Sequence, residues 1–330
     1  MSLLTRRRAT PRPTRPLKGG GSQVAPVLSP LNAISTLWPG QAGRDGHAAM
    51  PSPASEPDLA KYRSVAALIR AHARATPDKA FLISIDQGRE ITWGELHRFC
   101  NRFARFLAAR NIGANDRVAV LGENTLELFV LYYAVLYAGA TFCIINTEIN
   151  AAHLREMLVR VEPKLVLWHA ELDPATLGAG APGDWIRFGD LRGDDALFGQ
   201  VGRFADDSDL PDRSRPDDVA VISFTSGTSD TPKGVIHNFG NYFWIAEQTI
   251  IMWGITGTDR LLEYRSISWA SSHMLCLMPC LTAGATLVFA RKFSASRFFD
   301  WIATYEPTIA IGIPTVVNML LERPQDVDQR

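Results

Sequence analysis

Residues 219–237 read VAVISFTSGTSDTPKGVIH, Val219 to His237. Val219 to Phe224 is a short run with the β-branched and aromatic character of a buried strand. It passes without a spacer into Thr225-Ser226-Gly227-Thr228-Ser229-Asp230-Thr231-Pro232-Lys233-Gly234. That loop is dense in backbone N–H groups and hydroxyls and ends in one lysine. Such a loop wraps an anionic polyphosphate: N–H and hydroxyl groups donate to oxygens, and the ammonium neutralises charge. Gly227 and Gly234 admit positive φ and close approach of backbone to ligand. The GxxxxGK[ST] pattern is absent, because Lys233 follows Pro232 and precedes Gly234, so the loop is not of the Walker type. A ligand loop at the C-terminal end of a strand belongs to an open α/β sheet.

The rest of the chain reads the same way. Val65, Leu68 and Ile69 form one helical face that ends before Pro77, and Ala80 to Ile85 is a strand. Thr92 caps a helix carrying Leu96, Phe99, Cys100, Phe103, Phe106 and Leu107 at 3–4 spacing, with Gly113 as its stop. A strand at Arg117 to Leu121, a buried helix over 126–138 and a strand at Thr141 to Ile145 follow. Asn150 caps a helix through Val161, and Lys164 to Trp168 is a strand. Beyond the loop come a helix over 241–252, a strand over 260–264, a helix over 273–282 and a strand over 285–290. Ser294 or Ser296 caps a helix to Tyr305, a strand covers 308–313, and Pro314 opens a helix to Leu321. Apolar strands alternating with helices predict largely parallel sheets with both faces covered. The expected organisation is a basic tail (1–57), a first α/β lobe (58–170), a loop-rich connection (171–216) and a second α/β segment (217–330).

Composition narrows the function. The chain has 330 residues, 46% of them apolar and 21% charged, so a sizeable core forms. Lys+Arg and Asp+Glu are both 34, which argues against a nucleic-acid binder driven by bulk charge. Residues 1–49 hold seven basic side chains and one acid, leaving 27 basic and 33 acidic in residues 50–330. Nine of the 20 prolines fall in residues 1–57, which read as a disordered tail without the apolar run of a secretory signal. The tail suits a transit peptide or translation from a start upstream of Met50; the body is expected in the cytoplasm. Leu126 to Ile145 is long enough to span a bilayer, but Gly139 divides it into a buried helix and a buried strand. Cys100, Cys143, Cys276 and Cys280 are too few for a disulfide scaffold and lack zinc-site spacing, so no bound metal is expected.

Against this background the 224–234 loop resembles the phosphate-binding signature of the AMP-forming adenylating enzymes, which include acyl-CoA synthetases, adenylation domains and firefly luciferase. Their signature reads [YF]-T-S-G-[ST]-T-G-x-P-K-G; here it is F-T-S-G-T-S-D-T-P-K-G, with Ser229 for Thr and Asp230 for Gly. Thr92-Trp93-Gly94-Glu95-Leu96, Arg117 to Val120 with Glu123-Asn124, Ala138-Gly139-Ala140, Gly284-Ala285-Thr286 and Gly312-Ile313-Pro314-Thr315 resemble further landmarks in the family's order. Where many acid–CoA ligases have P-x-x-H, counting back from Gly284 puts Trp269 at the His position. His273 lies where long-chain enzymes carry an aromatic gate, and it reads equally well as a satisfied helix histidine.

The resemblance implies the truncated N-terminal part of the adenylate-forming fold and a reaction in two halves. A carboxylate attacks the α-phosphate of MgATP, and coenzyme A then displaces AMP from the acyl-adenylate. The substrates implied are thus a small carboxylic acid, ATP with Mg2+, and CoA. The resemblance assigns Ser226, Gly227, Thr228, Ser229 and Gly234 to the phosphates, Thr225 to orienting the loop, and Lys233 to the departing pyrophosphate. Trp269, His273, Gly312 and Pro314 are implied to line the acid pocket. The family's Y-G-x-T-E and Y-x-[TS]-G-D motifs and lid domain are not found, so the chain is expected to be a fragment inactive alone. Two alternatives stand beside the ligase reading: an adenylation domain that loads a carrier protein, and a truncated nucleotide-binding module.

Overall fold

The computed structural model describes residues 61–173, 177, 182–193, 196–206, 208–225 and 233–322. The expected tail, with the other residues, lies outside them. Eleven strands form two sheets among the described residues. The first sheet holds β1 (Ala80–Ser84), β2 (Arg89–Thr92), β9 (Arg260–Glu263), β10 (Thr286–Phe289) and β11 (Ile309–Ala310), in the order β11-β9-β10-β1-β2. The second holds β3 (Arg117–Leu121), β4 (Thr141–Ile145), β5 (Leu165–His169), β6 (Asp184–Phe188), β7 (Val219–Thr225) and β8 (Lys233–Asn238), in the order β6-β5-β3-β4-β7-β8. Only the edge strands β2 and β8 run antiparallel to their neighbours.

The period of two along each strand decides which layer a residue enters. Val118 and Val120 of β3 and Phe142 and Ile144 of β4 face a core shared with the first sheet, while Ala119, Leu121, Cys143 and Ile145 face the other side. The shared core contains α1 (Val65–Ala75), α2 (Trp93–Ala108), α3 (Leu126–Tyr137) and α6 (Phe239–Trp253). α3 is buried along its whole length because it lies between the sheets: Phe129 stacks on Phe289 of β10 at 4.1 Å, and Tyr132 meets Phe142 of β4 at 5.0 Å. Helix α4 (Ala151–Val161) covers the outer face of the second sheet. Helices α9 (Phe298–Tyr305) and α10 (Pro314–Leu321) cover that of the first. Among the described residues no helix is long and apolar enough to cross a membrane.

Local sequence explains several boundaries. Thr92 Oγ1 accepts from the Glu95 amide at 3.2 Å, and Glu95 Oε2 accepts from the Thr92 amide at 2.9 Å, a reciprocal cap at the start of α2. Ser64, Thr125, Asn150 and Asn238 cap α1, α3, α4 and α6 by accepting from an amide of the first turn, without the reciprocal bond. Other boundaries differ from the sequence reading. Helix α2 ends at Ala108, and the chain turns at Asn111 (φ 55°) rather than at Gly113. Ser294 and Ser296 bond each other at 3.2 Å, and α9 starts at Phe298 without a side-chain cap. The strand expected over 308–313 pairs only at Ile309 and Ala310. The loop-rich connection also contains β6 and the short helix α5 (Phe198–Gly202). Strands from residues 58–170 and 217–330 share both sheets, so the division drawn along the chain is not one between sheets.

Candidate functional site

The C-terminal ends of both sheets meet at one junction. Glu123 follows β3, Glu148 follows β4, Glu171 follows β5, and Arg291 and Lys292 follow β10. Arg291 bonds Glu123 at 2.5 Å and Glu171 at 2.6 Å, while Lys292 reaches Glu148 at 2.7 Å and Glu123 at 3.1 Å. These ion pairs raise the pKa of both cations, and the same partners hold Glu123 below its usual range against the opposing effect of its burial. A cavity of about 120 Å³ opens beside them, lined by Asn124, Asn146, Thr147, Tyr264, Ser266 and Phe293 among others. A crevice outside the carboxyl ends of parallel strands is where α/β sheets take ligands.

β7 runs beside β4 and ends at this edge, and β8 returns antiparallel to it. Thr225 and Lys233 face each other in register, so the intervening loop leaves and re-enters the sheet at one point. Ser226, Gly227, Thr228 and Ser229, with Asp230, lie outside the described residues. The Lys233 side chain is exposed and has no ion-pair partner among the described residues. Gly234 differs from expectation: it is an extended strand residue opposite Phe224, without positive φ. A Cβ there meets Ile222 and Phe224 at an ordinary 3.6 Å, so neither turn nor tight contact demands glycine. The strand character of β8 escaped the sequence reading because the loop's glycine and proline dominate the local pattern.

The four residues assigned to the acid pocket fall in different environments. Trp269 is 48% exposed at the end of the segment that leaves β9. Gly312 passes beside Tyr264: a Cβ at this glycine falls 2.9 Å from the Tyr264 hydroxyl, so a larger residue displaces the tip of that tyrosine. Pro314 is exposed and opens α10. His273 is fully buried, at the head of a π-helical turn (His273–Leu277) between α7 (Ala270–Ser272) and α8 (Met278–Ala283). Its Nε2 lies 2.5 Å from the Ile267 carbonyl and its Nδ1 lies 2.6 Å from the Tyr242 hydroxyl. A carbonyl only accepts, so Nε2 carries the hydrogen and Nδ1 accepts from Tyr242. Burial pushes this imidazole down to about 4, reinforced by His237 and Arg265 and opposed by the bond to Ile267.

Beneath the same segment lies a buried ion pair that sequence reading missed. Glu263, fully buried at the end of β9, accepts from the Arg265 amide (2.8 Å), Arg265 Nε (2.9 Å), Arg265 Nη2 (2.5 Å) and Ser272 Oγ (3.0 Å). Asn124, also buried, crosses from the second sheet: its amide donates to the Arg265 and Ala290 carbonyls at 2.8 and 3.2 Å, and its oxygen accepts from the Ile267 amide at 2.9 Å. Its position directly after a parallel strand was a signal, but its partners lie about 140 residues away. Among the described residues no group of three or more His, Cys, Asp and Glu stands together to hold a metal, and the four cysteines are buried free thiols.

Known proteins resemble this chain in sequence and in fold. The family described as AMP-binding enzyme matches residues 69–330. A 2-methylpropanoate–CoA ligase of Humulus lupulus is 27% identical over 255 residues, which is 71% of this chain and 45% of that protein. A long-chain-fatty-acid–CoA ligase of Mycobacterium tuberculosis is 26% identical over 273 residues, covering 80% of this chain and 52% of that one. The solved structure of a Mycobacterium tuberculosis fatty acyl CoA synthetase superposes with a TM-score of 0.67 at 23% identity, over 80% of this chain and 52% of its own, a likeness of fold. The chain therefore spans about half the length of these relatives.

Proposed function

Since this chain belongs to the AMP-binding enzyme family, we propose that it supplies the phosphate-loop and acid-binding part of an AMP-forming acid–CoA ligase acting in the cytoplasm. The observation that carries the reading is the β7–β8 pair. Its register brings Thr225 and Lys233 together at the C-terminal end of β7, next to β4, so the Ser/Thr/Gly-rich loop is tethered at both ends on the edge where the strands of that sheet end. The described ends of that loop fit a polyphosphate: Lys233 offers an exposed ammonium, and no carboxylate among the described residues neutralises it. Mg2+ enters as the partner of the ATP phosphates.

In the proposed reaction the substrate carboxylate attacks the α-phosphate of ATP. The bond to the β-phosphate oxygen breaks, and pyrophosphate leaves as the acyl-adenylate forms. The CoA thiolate then attacks the acyl carbon and AMP departs with the bonding pair. Negative charge collects on the leaving group in both halves, so the work is positioning and electrostatic stabilisation. Lys233 neutralises the departing pyrophosphate, Ser226 to Ser229 donate to its oxygens, and Trp269 with Gly312 bounds the acid. The relatives are ligases of a four-carbon branched acid and of long-chain acids, so the family leaves the acid of this chain to its own pocket.

The test is MgATP binding by calorimetry, followed by carboxylate-dependent ATP–pyrophosphate exchange. The chain spans about half the length of its relatives, and it is expected to bind MgATP but to support little exchange alone. Lys233→Ala is expected to weaken MgATP at least tenfold, which corresponds to about 1.4 kcal/mol. Absence of MgATP binding in the folded chain removes the proposal.

A further inference from the structure

Both main-chain polar groups of one residue, Ile267, are held by side chains from distant parts of the fold. The Ile267 amide donates to Asn124 Oδ1 at 2.9 Å, and the Ile267 carbonyl accepts from His273 Nε2 at 2.5 Å. Asn124 follows β3 in the second sheet, and its own amide grips the carbonyls of Arg265 and Ala290. His273 is itself fixed by Tyr242 of α6, the helix that follows β8 directly. All three side chains are buried, with Asn124 3% and His273 0% exposed. The segment between β9 and α7, residues 264–269, has no ladder of its own. It carries Tyr264 and Ser266 toward the 120 Å³ cavity and ends at the exposed Trp269.

We infer that Asn124 and His273 are positioning residues of the acid-binding wall: by holding the N–H and the C=O of Ile267 they fix segment 264–269 and set where Trp269 stands. The functional half of this inference rests on the reading of Trp269 as part of that wall. The clamp couples the wall to both sheets through Asn124. It also couples the wall to the phosphate-loop strand, because Tyr242 lies one helical turn beyond β8. Ile267 is fully buried, so no water replaces either side chain when its bond to the Ile267 main chain is lost. Releasing it lets Trp269 move and relaxes discrimination among acids by size.

The test uses the full chain with Asn124→Ala, His273→Leu, His273→Gln and Trp269→Phe. Hydrogen exchange over residues 264–269 reads the clamp, and acrylamide quenching of Trp269 emission, taken as the difference from Trp269→Phe, reads its placement. Binding of acetate, hexanoate and dodecanoate, followed by calorimetry, reads discrimination. Asn124→Ala and His273→Leu are expected to keep native circular dichroism, speed exchange at least tenfold, raise Trp269 quenching and flatten the preference among the three acids. His273→Gln retains an N–H that reaches the Ile267 carbonyl and is expected to restore all three readouts. Should Asn124→Ala fail to fold, Asn124→Ser serves in its place. Wild-type exchange and quenching in Asn124→Ala and His273→Leu overturn the clamp. Altered exchange, with Trp269→Phe ranking the acids as the wild type does, leaves the clamp standing and overturns its link to the acid.

Discussion

Glu263→Leu is expected to destabilise the fold more than any single surface change. The carboxylate accepts four hydrogen bonds, three of them from Arg265, and that arginine is 7% exposed. Removing the acid strands a guanidinium that keeps, among the described residues, a 3.7 Å contact to Cys276 Sγ. An uncompensated buried charge costs about 3–5 kcal/mol. At about 2–4 °C per kcal/mol for a domain near this size, the midpoint of thermal unfolding falls by about 6–20 °C. Replacing both partners by apolar residues, Glu263→Leu with Arg265→Met, removes the stranded charge and restores most of the loss, since well-packed apolar pairs often match buried ion pairs. The assay is calorimetric melting of the wild type, both single variants and the double variant. A single-variant loss below about 3 °C, or a double variant as unstable as the single, refutes the view that the ion pair is held by mutual neutralisation.

Other expectations concern separate regions. His273 sits at about 4 when folded and near 6.5 when unfolded, so the unfolded chain takes up a proton that the folded chain refuses. Its contribution is full above about pH 6.5 and is lost as pH falls toward 4, about 3 kcal/mol over that window. Urea midpoints at pH 7 and pH 5 are expected to fall further for the wild type than for His273→Gln, and equal falls contradict the assignment. Thr92→Ala removes the oxygen that caps α2 and is expected to cost about 1 kcal/mol, read from the urea midpoint at constant slope. Gly284→Ala forces a side chain into φ 73° and sets its Cβ 2.7 Å from the His72 ring, for roughly 1–3 kcal/mol. A Gly284→Ala melt within a degree of wild type contradicts that strain.

Much of this architecture was legible in local pattern. The capping threonine at 92, the asparagine at 150 and the apolar runs at 117–121 and 141–145 each state their structure within a few residues, because caps and alternation act at short range. Sheet order was not legible. Parallel strands are joined by crossovers, so β1 finds β10 about two hundred residues later, and no local signal announces that pairing. β2 was hidden behind the cap it precedes, and β6 behind the glycines and aspartates around it. In the candidate site the Ser/Thr/Gly-rich loop after Thr225 stood out as a motif, whereas the pair of side chains on Ile267 did not. Asn124 and His273 become neighbours of one residue's main chain only when both sheets are assembled.

The helix between the sheets also bears on how the protein is made. α3 is apolar apart from Glu127 and is buried on every side, with Phe142 of β4 against one face and Phe289 of β10 against another. The first partner leaves the ribosome almost at once, but the second lies about 150 residues further on. At about 5–20 residues per second, half of this helix waits on the order of 8–30 s for its cover. During that interval the nascent chain presents a sticky surface that invites trigger-factor-like holdases, and slow translation between residues 137 and 289 lengthens its exposure to aggregation.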